Sequence, residues 1–265
     1  MIMYRLFTVF LLGLTVVLAG CTTNEDDLVV GLECNYAPFN WTDNSEGVEI
    51  EQANGYCAGY DVTVAQEISD GLDKDLRVRK IDWDGLIPAL NSGEIDVIIA
   101  GMSPTEERKE SVSFTDEYFR SEQVMVVRSD SDYTGAESLE DFEEARVIAQ
   151  QGTLQDDLIP QIDNVDHASP LNDYPSLVEQ VRSGISDAFV AELPVALSVT
   201  DSDESLEMVR FEEGSGFDVE DEQITVSVAL RKDDTSLRDE INDILASIDE
   251  ETRQEWMEEA LSNQP

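Results

Sequence analysis

Basic residues are scarce in this chain. Against 59 Asp plus Glu there are 16 Lys plus Arg, and only four of these are lysines, Lys74, Lys80, Lys109 and Lys232. The formal charge is −43. A polyphosphate backbone would be repelled by such a chain, so nucleic acid is excluded as a partner. Histidine is limited to His167, in the polar stretch NVDHAS, where it reads as a surface residue. No metal and no cofactor is expected. The apolar run Leu6–Leu18 is thirteen residues, too short for a comfortable membrane span. Internal repeats are absent, and the acidic bias is the only low-complexity feature.

What is present fits a folded, exported protein. The 265 residues are enough for two modest domains, and hydrophobic content is an ordinary 41%. High charge can also signal disorder, but the apolar periodicity below argues for a core. The acid excess therefore reads as a solvated surface suited to high salt, where screening weakens self-repulsion. Residues 1–20 have the layout of a signal peptide, with Leu6–Leu18 as its apolar region. It ends in Leu18-Ala19-Gly20-Cys21, which resembles the bacterial lipoprotein cleavage motif. That motif implies cleavage before Cys21 and a lipid on its sulfur, with 21–27 as a tether and acyl chains as the membrane anchor. Cys34 and Cys57 remain. Outside the cytoplasm a disulfide is the favoured state, two free buried thiols the alternative.

Helix and strand patterns alternate along the chain. Leu28–Gly31 reads as a strand, Asn40–Tyr56 as a hairpin, and Asp61 as the cap of a helix closed by Gly71. Leu76–Ile81 is a strand and Asp82–Leu90 a short helix. Asp96–Ala100 is a buried strand, followed by Gly101 and a one-turn helix start at Glu106 with Thr105 as its cap. Phe114–Arg120 reads as irregular, Gln123–Val127 as a strand, Leu139–Glu144 as a short helix and Arg146–Ala149 as a strand. Helices follow at Leu154–Ile159 and Ser176–Ser183, then a strand Asp187–Ala191 leading into a helix at Glu192-Leu-Pro. The chain closes with a strand Gln223–Leu230 and helices Asp234–Ile248 and Thr252–Leu261. Open α/β sheets place ligands at the C-terminal ends of their strands, so two such units facing each other make a cleft. The turn after Ala100 suits an anion, through helix-start N–H groups and the planar fork of Arg108.

The stretches VVGLECNYAPFNW, GYDVTVAQEI, WDGLIPALNSGEIDVIIAGMSPTEER, VIAQQGT, DAFVAELPVA and VALRKDDTSLRDEINDIL together resemble one family. It is the polar amino-acid-binding proteins of ABC importers, extracellular solute-binding family 3, in lipoprotein form. The resemblance implies an α/β, two-lobed periplasmic-binding-protein-like fold of type II, each lobe a mixed β-sheet flanked by helices. Lobe 1 would hold 28–120 plus 227–265 and lobe 2 121–226, with hinge crossings near Arg120–Gln123 and Gln223–Val226. It also implies a monomer that receives a free amino acid and passes it to an ABC permease with its ATPase.

The same resemblance implies the ligand residues. Arg108, with Ser103 and the Gly101 backbone, would hold the α-carboxylate, and Thr153 would reach it from the other lobe. Glu192 takes the place of the family's Asp as partner of the α-ammonium, one methylene longer. Tyr36 and Trp83 correspond to the aromatic walls, with Phe39 in the core. Glu33 occupies a position that contacts the ligand side chain, and a carboxylate there favours a basic amino acid first and glutamine second. A Cys34–Cys57 disulfide would brace the loop carrying Glu33 and Tyr36. Two other classes compete: an enzyme on this fold such as a cyclohexadienyl dehydratase, with Glu192 as general acid, and a sensing subunit. The enzyme reading lacks His, Cys or Lys in the expected cleft. The sensor would need a partner, since nothing follows Pro265 to carry a signal.

Overall fold

The computed structural model describes residues 26–265, so the signal-peptide and Cys21 lipidation expectations lie outside the described residues. In chain order the first elements are β1 (Asp27–Leu32), β2 (Asn35–Tyr36), β3 (Asn40–Asp43), β4 (Val48–Glu49), β5 (Tyr56–Ala58), α1 (Tyr60–Gly71), β6 (Asp75–Lys80) and α2 (Trp83–Ser92). Then come β7 (Val97–Ile98), α3 (Glu106–Lys109), β8 (Ser113–Arg120), β9 (Gln123–Arg128), β10 (Arg146–Ile148), α4 (Leu154–Leu158), β11 (Asp166–His167) and α5 (Tyr174–Arg182). The last are β12 (Ala188–Glu192), α6 (Leu193–Ser202), β13 (Leu206–Val209), β14 (Thr225–Leu230), α7 (Thr235–Ser247) and α8 (Glu250–Asn263).

These elements build two lobes. The first rests on a sheet in the order β6-β1-β7-β14-β8, the second on β11-β10-β12-β9-β13, and a small sheet β2-β3-β5-β4 attaches to the first. Both large sheets are mixed: β1 runs parallel to β6 and β7, while β14 is antiparallel to β7 and β8. In the second, β10 is parallel to β12, and β9 is antiparallel to β12 and β13. The chain passes from one sheet to the other between β8 and β9, and returns before β14.

Continuous apolar runs form the central strands because both faces are covered by helices. Val30, Val78 and Val228 pack toward α1 and α7, against Ile68, Ile241 and Leu245. Val29, Ile98 and Ala229 pack toward α2, against Leu86 and Leu90. In the second lobe Met125, Val127, Val147 and Val190 enclose Phe142. Each of these Val, Ile, Leu, Met and Phe side chains contributes roughly 1.5–3 kcal/mol on burial. Among the described residues no helix is long and apolar enough to cross a membrane.

Several local expectations are corrected. Phe114–Arg120 is not irregular; it is most of β8, an edge strand paired to β14 through a bulge. Of Asp96–Ala100 the regular strand is Val97–Ile98; Asp96 and Ile99 still donate backbone N–H groups to Val29 O and Gly31 O of β1, and the Asp96 carboxylate accepts from Val29 N. Leu139–Glu144 holds a 3₁₀ turn at Leu139–Phe142, and Leu206–Val209 and Asp166–His167 add unanticipated strands. Asp61 does not cap α1. Gly59 holds that position, at φ 121, and Asp61 is turned inward and buried.

Candidate functional site

Four segments from lobe 1 and three from lobe 2 converge between the sheets. After β1 comes the loop with Glu33, 2% exposed, and then Tyr36, 5% exposed. Its geometry is fixed by the Cys34–Cys57 disulfide, which joins it to β5 across a sequence separation of 23. A cross-link of that span is worth roughly 3 kcal/mol in chain-entropy terms. The expected pairing is therefore present. Trp83 opens α2 and stands half-buried at the cleft edge. Gly101 and Ser103 follow β7, and Arg108 lies in the single turn of α3. From lobe 2 come Gln150, Thr153, Leu154 and Gln155 around the start of α4, Tyr174 at the start of α5, and Glu192 where β12 ends. All of them line one narrow space between the lobes, which the lining side chains nearly fill: its cavity volume is about 10 Å³, roughly that of one water.

Each charged group has a definite setting. Arg108 Nη1 donates to Ser103 O at 2.9 Å and Nη2 to Gly152 O at 3.2 Å. Its guanidinium lies 5.0 Å from the Trp83 ring centroid, a cation–π contact. Loss of water in the cleft lowers its pKa to about 10, opposed by Asp157, Glu192 and Glu107, so it stays charged at neutral pH. Thr105 caps α3 as expected, accepting from Arg108 N at 3.3 Å. Trp83 Nε1 donates to Gly152 O at 3.0 Å, from lobe 1 to lobe 2.

Glu192 is buried, and burial raises its pKa; the Tyr36 hydroxyl, which donates to Glu192 Oε2, pulls the other way. Tyr36 also stacks on Phe39 at 5.3 Å and meets Tyr174 at 4.7 Å. Phe39 is 0% exposed, in the core as anticipated. Gln150 Nε2 donates to Glu33 Oε1 at 2.8 Å and to Asn172 O at 2.9 Å. Burial pushes Glu33 up to about 8, assisted by Asp82 and Asp173 and resisted by the bonds from Gln150 and the Trp83 N–H. The cleft therefore holds the Arg108 cation with two buried acidic side chains, Glu192 near enough for it and Arg108 to shift each other's pKa.

All eight residues singled out in the sequence line this space, but two are placed differently from their expected contacts. Gly101 N donates to the Tyr118 hydroxyl at 3.1 Å, so that donor is already engaged. Glycine is required there because φ is +62 and a Cβ would lie 2.8 Å from the Tyr36 ring. Thr153 Oγ1 donates to Gln150 O at 2.7 Å and accepts from Asp156 N at 3.3 Å, which makes it the cap of α4. Sequence reasoning missed Gln150, Gln155 and Tyr174. Gln150 stands inside the QQGT loop already singled out, and its partner Glu33 is 117 residues away. His167 pairs with Asp156 at 2.8 Å, away from this lining.

Two lobes, two crossings and a charged space between them define a ligand-binding protein that closes around a small polar solute. The chain belongs to the bacterial extracellular solute-binding proteins, family 3, whose model matches residues 28–261. Membership makes it an exported protein. It is 28% identical over 239 residues to the arginine-binding extracellular protein ArtP of Bacillus subtilis (strain 168), covering 88% of this chain and 84% of the relative. Its fold matches an amino acid ABC transporter substrate-binding protein of Streptococcus pneumoniae bound to L-arginine. That match has a TM-score of 0.77 and 26% identity, over 89% of this chain and 94% of the other. An ancestral arginine-binding protein bound to glutamine matches with a TM-score of 0.75 and 30% identity, over 89% and 98%.

Proposed function

We propose that this protein captures a free basic amino acid, with glutamine as second choice, and delivers it to an ABC permease by closing its lobes. The observation that carries the reading is the set of charged groups lining the cleft: Arg108 with the buried Glu192 and Glu33. A zwitterion with a cationic side chain brings one negative and two positive groups, the complement of that set. Arg108 holds the α-carboxylate, Glu192 the α-ammonium, Glu33 the side chain, while Tyr36, Tyr174 and Trp83 supply aromatic faces. Gly101, Ser103 and Thr153 shape the carboxylate end. A relative named as arginine-binding and solved neighbours bound to arginine and to glutamine support these ligand classes.

Lobe 1 comprises 28–120 plus 227–265 and lobe 2 121–226, hinged at the two crossings. Binding biases a two-state opening because contacts come from both sides. The N-terminal Cys21 carries the lipid that keeps this monomer beside its permease. A thermal-shift screen of the twenty amino acids with ornithine and citrulline, run in high salt, tests the ligand. Arginine, lysine or ornithine should raise the melting temperature most, by mass action, with the ligand recovered unchanged. No shift with any amino acid overturns the reading.

The acidic surface is an adaptation to high salt. Melting should occur at a higher temperature in molar salt than in dilute buffer, because screening removes self-repulsion. Equal melting in both sinks this assignment.

A further inference from the structure

We infer that Asp61 is a positioning residue that holds the two halves of the recognition apparatus in register. One half is the loop with Glu33 and Tyr36, the other the turn with Gly101, Ser103 and Arg108. The inference rests on the reading of the cleft as an amino-acid site. Asp61 is 0% exposed and lies behind the cleft lining, touching none of the space itself.

The directions of its hydrogen bonds make the case. Asn40 Nδ2 donates to Asp61 Oδ2 at 2.7 Å, and the Tyr118 hydroxyl donates to Asp61 Oδ1 at 2.7 Å. Each donor is in turn an acceptor from the main chain. Cys34 N donates to Asn40 Oδ1 at 2.7 Å, and Gly101 N donates to Tyr118 Oη at 3.1 Å. Two relays thus start at backbone N–H groups in the two halves and end on one carboxylate. Asn40 and Tyr118 are both 0% exposed, so no solvent substitutes for a lost partner.

The polarity of the relays leaves little freedom. Position 61 must offer two acceptors and no donor. An amide has one oxygen and one NH₂ group, so Asp61→Asn satisfies one relay and opposes the other. Asn40 cannot turn its amide over to compensate, because its oxygen is needed by Cys34 N. Burial lifts the Asp61 pKa to about 6, opposed by the bonds from Tyr118 and Asn40 and by the nearby Gly101 N–H, so above that pH it is the doubly accepting carboxylate.

The same polarity defines a rescue. In the double variant N40D/D61N the carboxylate sits at position 40. It accepts from Cys34 N and from the amide at 61, whose oxygen still accepts from Tyr118. Every donor is paired again. Calorimetric titration with L-arginine at pH 7.5 in high salt should find D61N weakened about tenfold. N40D alone should be weakened as much, since two carboxylates then face each other. The double variant should return to within about threefold of the original, on the same reasoning. Amide hydrogen exchange gives a second reading free of ligand: protection at Cys34 or Gly101 falls in D61N and recovers in N40D/D61N. Tyr118→Phe should expose only the Gly101 amide and weaken L-arginine.

Folded D61N that binds L-arginine with unchanged affinity overturns the role of Asp61. So does a folded double variant with both amides protected and no recovered affinity. If the unaltered protein binds no amino acid, the reading of the cleft fails instead, and the exchange data still decide whether the relays end on Asp61.

Discussion

Arg108→Ala should abolish measurable capture of every α-amino acid, whatever its side chain. Among the described residues the guanidinium is the one cation lining the space between the lobes, and an α-carboxylate needs paired N–H donors in the plane of its oxygens. Removing it leaves a desolvated carboxylate unpaired, which costs ~3–5 kcal/mol, or roughly two to four orders of magnitude in affinity. Arg108→Lys keeps the charge without the fork and should fall between the two. The loss would not simply report unfolding. In the fold Arg108 supports Ser103 O and Gly152 O, and losing those bonds lowers stability by about 1 kcal/mol each. Calorimetry with arginine and glutamine on a variant whose melting is checked first separates the effects. Unaltered affinity in Arg108→Ala refutes the site.

Glu33→Gln should act selectively. A cationic ligand loses on the order of 1–3 kcal/mol, while glutamine is nearly unaffected. Equal losses for the two ligands would remove Glu33 from side-chain recognition. A pH series sharpens the contrast. Burial, with Asp82 and Asp173, holds this carboxyl up at about 8. A cation binds the ionised form, so below that pH its capture releases a proton. Affinity for arginine should rise with pH by up to about tenfold per unit and level off above pH 8. In Glu33→Gln that dependence should flatten. Stability runs the other way. Because the folded pKa exceeds the ordinary 4.5, the contribution is fully present below 4.5 and is lost as pH rises through about 8. The protein without ligand should therefore melt earlier at pH 8 than at pH 5 at constant high salt, with a shallower fall in Glu33→Gln.

Much of the architecture can be read from local pattern. Continuous apolar runs such as VVGL and TVSVAL are central strands, and the turn from Gly101 to Arg108 lies where a strand end meets a helix start. What escaped was decided at a distance. The edge strand β8 mixes aromatic and acidic residues, and its partner β14 lies about a hundred residues later; only that ladder makes it regular. Asp61 looked like a cap because Asp near a helix start usually is one. Its actual partners, Asn40 and Tyr118, are 21 and 57 residues away. Gln150 and Tyr174 gain meaning only from facing the opposite lobe, where Glu33 and Tyr36 lie.

Trp83 and Arg108 both reach across the cleft to the carbonyl of Gly152. That acceptor is main chain, and no substitution at position 152 removes it. On the lobe 2 side, this part of the grip depends on backbone placement, and Gly152 at φ +69 is a position where a side chain would strain that backbone. Glu33 and Gln150, by contrast, meet through side chains alone. The molecule thus separates what is free to drift from what is not: ligand preference can be rewritten at the second pair while the ability to shut is retained at the first. The main-chain latch thus rests on one glycine, while the side-chain pair is where preference can change.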